Sequence, residues 1–256
     1  MFAPERHQAI LDLARTRGRV DVRDLAEQLD VTPETIRRDL TSLERRGLVR
    51  RAHGGAVPIE RASLSRGTGE RETIQAAEKN AIAAAALAEL AEGTSVFIDA
   101  GTTTLRLAEL IPDDLALTVV THSLPVAMAL AAKPATAVHL LGGQFNHETL
   151  SSVGTWTHQM IGMVSVDIAF VSVNGITPER GLTTGDLAEA AVKSAMIRAS
   201  RRTVVLADHS KFGREEFGRI APLAAVETII TDSGVNPELA SEAEAAGPIV
   251  VRAAGA

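Results

Sequence analysis

Four loops in this chain combine glycines, hydroxyls and charges in a way that suits an anionic, hydroxylated ligand. Asp99, Gly101, Thr102, Thr103 and Thr104 follow the apolar run at 96–98 and lead into a helical pattern. A glycine, several hydroxyls and the free amides of a helix N-terminus together make an anion pocket. Gly142 and Gly143 follow the apolar run 138–141, Asn174 and Gly175 follow 170–173, and Asp208, His209, Ser210 and Lys211 follow 203–207. Lysine is scarce, four against 22 arginines, so Lys211 at a strand end offers a point charge suited to a phosphate. Asp99, Asp186 and Asp208 are suited to accept hydrogen bonds from hydroxyls. Each loop alone is compatible with ordinary turn chemistry. Their recurrence after four apolar runs points to one binding edge.

A second set of residues suits nucleic acid. Between 31 and 57 six arginines (37, 38, 45, 46, 50 and 51) accompany only Glu34, Asp39 and Glu44, on a chain whose net charge is −6. Charge alone is equally compatible with a solvated helix face. Spacing says more. Thr32 suits an N-cap, Pro33 a first helical residue and Glu34 a first turn, with Gly47 as the stop. Ile36, Leu40 and Leu43 then share one face, which must be the inward one. At about 100° per residue Arg38 points about 200° away from Ile36, with Thr35 and Thr41 on the same outer side and Arg37 flanking. Hydroxyls and guanidinium groups on an outer helix face suit base edges and phosphates in a major groove. Two short strands turning at Gly54-Gly55 would form a wing carrying Arg50, Arg51 and His53 toward the DNA backbone or minor groove.

These residues need two different scaffolds. Before Thr32, apolar residues at 10, 11, 13 and 14, an extended piece at 20–22 and a helix near 22–29 complete a winged helix-turn-helix over 1–57. Glu60 to Gly69 has little periodicity and reads as linker, so 58–70 is expected to separate this module from a second domain at 71–256. That domain opens with a helix over 71–91, its expected face carried by Ile74, Ala77, Ala81, Ala84, Ala85 and Ala88. Apolar runs at 96–98, 117–120, 138–141, 168–173, 203–207, 228–230 and 249–251 alternate with helices near 104–110, 124–132, 155–162, 186–200 and 237–245. Such alternation predicts an α/β fold with a mostly parallel sheet covered on both faces. Ligands in such sheets sit outside the carboxyl ends of strands, where the four loops fall.

Composition narrows the functions. The 256 residues contain no Cys and no Tyr, one Trp and six Phe. Without Cys there is no disulfide framework, cysteine nucleophile or thiolate metal site. Few aromatics argue against stacking platforms for single strands. The seven His show no close ligand spacing and no Ser lies in a nucleophile-elbow pattern, so neither a metal, a cofactor nor a serine triad is expected. No signal-type or membrane-spanning apolar stretch is present, which leads us to expect a soluble cytoplasmic protein.

Two long stretches carry a family resemblance. Residues 31–40 (VTPETIRRDL), 43–48 (LERRGL) and 51–56 (RAHGGA) resemble the amino-terminal signature of DeoR-family bacterial transcriptional regulators. Asp99-x-Gly-Thr-Thr, Leu141-Gly142-Gly143, Asp167-x-x-Phe170, Gly181-Leu182-Thr183, Asp186 and Asp208-x-x-Lys211-Phe212-Gly213 resemble that family's carboxy-terminal sensor. The resemblance implies a sensor fold similar to ribose-5-phosphate isomerase and the CoA-transferase-like group. It also implies effector contacts at Asp99, Gly101, Thr102, Thr103, Gly142, Gly143, Asn174, Gly175, Asp186 and Lys211. Thr121-His122-Ser123 departs from the expected Thr-Asn-Ser, so His122 either alters recognition or is a satisfied pocket histidine.

The expected function is a DNA-binding regulator, a repressor of sugar or polyol metabolism genes. Its partners would be double-stranded operator DNA and a phosphorylated sugar that releases it, and it would act as a homodimer or homotetramer. A co-repressor role for the ligand is equally compatible with the residues. Two other functions fit parts of the chain: a sugar-phosphate isomerase-like enzyme with a DNA-binding appendage, and a winged module used only for protein contact.

Overall fold

Ile36, Leu40 and Leu43 are fully buried, and so is Val49 after them, which fixes the face by which the third helix of the amino-terminal unit packs. The computed structural model describes residues 6–7, 9–11, 13–14, 20–45, 49–52, 54–58 and 72–254. Its contacts divide the chain into two units, Met1–Ser63 and Leu64–Ala256. In the first, the described residues between 6 and 14 are helical and are followed by β1 (Val20–Asp21), α1 (Val22–Gln28) and α2 (Pro33–Arg45). Then come β2 (Val49–Ala52) and β3 (Gly55–Pro58). Asp30 takes φ 52° between α1 and α2, a left-handed turn that a short Asp side chain tolerates. Thr32 Oγ1 accepts the Thr35 N–H at 3.2 Å and so caps α2. The strands form an antiparallel sheet in the order β1-β3-β2. Gly55 permits it: a Cβ there would stand 1.9 Å from the Val20 carbonyl oxygen. Pro58 closes β3 and so belongs to the wing, not to the linker expected from 58 onward; Gly47 and the rest of that linker lie outside the described residues.

The second unit begins with α3 (Ala76–Leu87), shorter than the helix expected over 71–91. Gln75, at φ 54°, breaks the pattern just before it. The inward face is also different: Lys79, Ile82, Ala83 and Ala86 are buried, while Ile74, Ala77, Ala84 and Ala88 are exposed. Alanine on every side gives a helix no amphipathic contrast, so spacing could not select the face.

The main sheet has seven strands, all parallel. They are β4 (Ser95–Ile98), β5 (Thr118–Thr121), β6 (Ala137–Leu140), β9 (Val166–Ser172), β12 (Ser200–Leu206), β14 (Thr228–Asp232) and β15 (Ile249–Ala253), in the order β15-β14-β12-β9-β4-β5-β6. Alternate residues feed two cores, as a pleated strand requires. Val96, Ile98, Ile168, Phe170, Val204 and Leu206 pack with α3, α4 (Thr102–Leu110) and α5 (Leu124–Leu130). Phe97, Ala169, Val171 and Val205 pack on the other side with α6 (Thr155–Ile161), α7 (Leu187–Arg198) and α8 (Pro237–Ala245). The order runs outward from β4 in one direction and from β9 in the other, so the topological switch point lies between those two strands.

Two smaller sheets were not expected. A hairpin joins β7 (Gln144–Asn146) to β8 (Ser151–Val153), and an antiparallel sheet runs β10 (Gly175–Thr177), β11 (Gly181–Thr184), β13 (Gly218–Ala221). These are strands of three or four residues, those of the second sheet rich in Gly and Thr, and all too short for alternation to register.

Candidate functional site

At the switch point the first residue beyond β4 is Asp99, fully buried. Its Oδ2 accepts hydrogen bonds from Ser172 N and Ser172 Oγ, both at 2.8 Å, and from the ammonium of Lys193. Its Oδ1 lies 3.0 Å from His122 Nε2. The three neighbouring strand ends of β9, β4 and β5 are thus joined through one carboxylate. Burial pushes that carboxyl up, but the charge of Lys193 and the hydrogen bond from His122 outweigh it and hold it well below the usual carboxylate range. His122 is 1% exposed, and its Nδ1 donates to the Ser152 carbonyl at 2.8 Å, which fixes the ring and makes it a satisfied pocket histidine.

Lys193 was missed by sequence reasoning, which attended to Lys211. It lies inside α7, 2% exposed, where the other buried positions are Glu189, Ala190, Val192, Ala195, Met196 and Ile197. A lysine at a core-facing helical position was the available signal.

Above this cluster the chain turns into α4. A Cβ on Gly101 would meet Ser172 Oγ at 2.5 Å, so glycine lets the loop pass the end of β9. The first intrahelical bond runs from Leu105 N–H to the Gly101 carbonyl at 2.9 Å, which leaves the amides of Thr102, Thr103 and Thr104 in the open first turn. Thr102 and Gly101 are half-buried. Thr104 is fully buried and its hydroxyl donates to the Asp99 carbonyl at 2.7 Å; Thr103 is 6% exposed.

Burial therefore corrects several expected contacts. Asp99, with both oxygens engaged, and Thr104, with its hydroxyl turned inward, are fully buried and support the loop from below. Gly175 is not an open loop residue: it starts β10, and a Cβ there would meet the Arg214 carbonyl oxygen at 2.4 Å. Gly143 packs on α6, where a Cβ would meet Thr157 Oγ1 at 2.0 Å, whereas Gly142 is exposed with open space around it. Asp186 is half-buried and caps α7, its Oδ1 accepting Glu189 N at 2.8 Å. Asn174 is half-buried, and its Oδ1 accepts from Thr184 Oγ1 at 3.1 Å. Beyond β12, Asp208 is 2% exposed and caps the short turn His209–Lys211, and Lys211 Nζ lies 3.9 Å from Asp208 Oδ2. Among the described residues no group of three or more His, Asp or Glu side chains is arranged to hold a metal ion.

In the amino-terminal unit α2 presents Thr32, Arg37 and Arg38 exposed, with Thr35 and Thr41 half-buried beside them. Arg37 pairs with Glu34 at 3.1 Å, and the Thr41 hydroxyl donates to the Arg37 carbonyl at 2.8 Å. The opposite side of α2 carries a group the sequence reading passed over. Asp39 is 6% exposed and receives Arg6 Nε at 2.5 Å, Arg6 Nη2 at 3.1 Å and His7 Nε2 at 2.9 Å. Burial raises the Asp39 carboxyl, but its bonds to Arg6 and His7 and their charges hold it below its ordinary value. This pair anchors α2 to the segment at 6–7. Arg50 and Arg51 lie in β2, and His53 lies outside the described residues.

Sequence comparison matches residues 6–62 to the DeoR-like helix-turn-helix domain and residues 74–233 to the DeoR C terminal sensor domain. The HTH-type transcriptional regulator GlpR of Haloferax volcanii is 37% identical over 98% of this chain and 98% of its own length. The glycerol-3-phosphate regulon repressor of Escherichia coli is 32% identical over 91% of this chain and 92% of its own. Among solved structures, a ribose 5-phosphate isomerase from Methanocaldococcus jannaschii covers 52% of each chain at 16% identity and a TM-score of 0.39, a likeness that says nothing of ligand or activity.

Proposed function

Because the chain belongs to the DeoR family of transcriptional regulators, we propose that it is a repressor of sugar or polyol metabolism genes, released from operator DNA by a phosphorylated sugar or polyol. The observation that carries this reading is the outer face of α2. Ile36, Leu40 and Leu43 are fully buried on one side, and Thr35, Arg37 and Arg38 stand on the other. A helix held this firmly by one face is free to enter a major groove with the other. Arg50, Arg51 and His53 supply wing contacts in this reading, and the DNA-binding domain runs through Pro58, followed by a linker to 70 and an effector domain over 71–256.

Sensing is supported by the residues at the β4/β9 switch point, the place in open α/β sheets outside which ligands bind. The amides of Thr102 and Thr103 offer a phosphate cradle there, and in this reading Lys211, from the loop after β12, supplies the counter-charge. Asp99, Lys193, His122 and Ser172 hold the loop beneath. A relative named for the glycerol-3-phosphate regulon supports a polyol phosphate as effector class. The protein acts in the cytoplasm as a homodimer or homotetramer, because helix-turn-helix proteins read two half-sites about 34–36 Å apart through a two-fold axis. No catalytic step is assigned to it.

Fluorescence anisotropy with DNA from upstream of its own gene tests this. Specific binding that weakens on adding glycerol 3-phosphate or fructose 1-phosphate is the expected result. Affinity no greater than for unrelated DNA would overturn the regulator reading.

A further inference from the structure

Glu189 is a buried carboxylate with too few donors. Its context, Asp186-Leu187-Ala188-Glu189, has the spacing of a capping box, in which the acid three residues after the cap returns to the cap's own backbone N–H. Half of that box is made, since Asp186 Oδ1 accepts the Glu189 N–H at 2.8 Å. The return half is missing. The Glu189 side chain turns instead toward the end of β11, where Thr184 Oγ1 lies 3.4 Å from Oε2, and Oε1 is enclosed without a hydrogen-bond partner. The residue is 7% exposed. Even the Thr184 proton is contested, because the same hydroxyl lies 3.1 Å from Asn174 Oδ1 and favours that shorter contact. An ionised carboxyl accepts up to about four hydrogen bonds. Left short of donors in the interior, it works against the fold.

Its place explains the arrangement. Glu189 stands one helical turn before Lys193, whose ammonium reaches Asp99 and Ser172. Asn174 follows Ser172 by two residues, at the same carboxyl end of β9. Asn174 and Asp186, which flank this group, are half-buried, whereas Glu189 itself is buried.

We infer that Glu189, flanked by Thr184 and Asn174, is the subsite that reads the hydroxyl groups of the effector. The two oxygens of one carboxylate match hydroxyls on two adjacent carbons, each donating one hydrogen bond. A carboxylate repels a phosphate, so the phosphate lies away from Glu189, toward the first turn of α4. This rests on the effector reading proposed above and adds to it the ligand class: a molecule with adjacent hydroxyls remote from any phosphate.

The test is isothermal titration of the full chain and of Glu189→Gln with fructose 1-phosphate, glycerol 3-phosphate, sorbitol and inorganic phosphate. The variant keeps the shape of the side chain and loses its charge. Every hydroxylated probe that wild type binds is expected to bind the variant at least about tenfold more weakly, as the loss of one charge-assisted bond implies. Inorganic phosphate is expected to bind both equally. Without ligand, Glu189→Gln is expected to melt at or above the wild-type Tm, since an underbonded buried charge is gone. A merely structural Glu189 would give the opposite: a lowered Tm or an unfolded variant, which overturns the inference. Undiminished affinity for the hydroxylated probes, or an equal loss for inorganic phosphate, overturns it as well. If wild type binds sorbitol but neither phosphorylated probe, the phosphorylated-effector reading fails while the sorbitol arm still decides Glu189. If wild type binds none of the hydroxylated probes, both fall.

Discussion

Replacing Lys193 with methionine should unsettle the switch point more than any single change to the loops above it. Methionine fills a similar volume on α7, so packing is largely kept, but Asp99 loses the ammonium on its Oδ2. Both groups are buried, at 2% and 0% side-chain exposure, so solvent does not take over the lost role. Removing one partner of a buried ion pair costs about 3–5 kcal/mol, because the other charge is left uncompensated. The pH dependence has a definite sign. In wild type the Asp99 carboxyl is lowered on folding, so it adds stability above its unfolded pKa of about 3.9 and loses it as pH falls through the lower folded value. In the variant burial loses its strongest counterweight and the carboxyl rises. The penalty relative to wild type is then fullest at pH 7 and shrinks as pH falls through the variant's raised carboxyl value, since protonation removes the stranded charge. Urea unfolding followed by far-UV circular dichroism at pH 7 and at about pH 4.5 measures this. Fluorescence would report poorly, because the one tryptophan, Trp156, is 72% exposed. Adding Asp99→Asn to the variant should recover part of the loss, the mark of a coupled pair. A loss below about 1 kcal/mol at pH 7, or a larger loss in acid than at neutrality, would refute the reasoning.

Other outcomes follow from the same geometry. Arg38→Ala and Thr35→Ala should each weaken specific operator binding by about 1–3 kcal/mol in anisotropy titrations if the side chain reads a base; wild-type affinity would remove α2 from the groove. Arg50→Ala and Arg51→Ala should weaken binding to all sequences alike and reduce the salt slope by about one, and a sequence-selective loss would contradict the wing assignment. Lys211→Ala should lower effector affinity by about 1.5–3 kcal/mol by calorimetry, as for one charge-assisted bond, while operator affinity without effector stays unchanged. Sedimentation should find a species heavier than the 27.0 kDa chain, and a monomer both with and without operator would reject the oligomer.

Much of the fold was legible because its strands obey a simple rule. Runs such as Val96-Phe97-Ile98 are apolar at every position, and the structure shows why: Val96 and Ile98 enter one core, Phe97 the other. A strand buried on both faces carries no alternation, only an apolar run between turn residues, and helices between such runs imply parallel order. Where that contrast fails, the reading fails. Helix α3 is alanine on nearly every side, so its buried face turns on Ile82 and Lys79, which spacing among alanines cannot single out. The strand β10 begins with a glycine that reads as a loop, yet that glycine is there because the Arg214 carbonyl approaches too closely for any side chain.

The site divides along a similar line. Residues that make loops, such as Gly101 and Thr102, announce themselves by type, because an open helix terminus beside a glycine is a local arrangement. Residues that hold the loops do not, because their partners are distant in sequence. Asp99 draws on His122, Ser172 and Lys193, which come from two other strands and from α7. Asp39 draws on Arg6 and His7, more than thirty residues before it. In each case the charge sits at a helical or strand-end position that the surrounding apolar pattern marks as inward. The useful signal was therefore the conflict itself: Lys193 among Val192, Met196 and Ile197, and Asp39 beside Leu40. An ionisable side chain placed where a leucine would pack must have a partner, and the partner must be buried with it. Applied to α7, that rule leads first to Lys193, whose partner is found, and then to Glu189, whose own donors fall short within the protein.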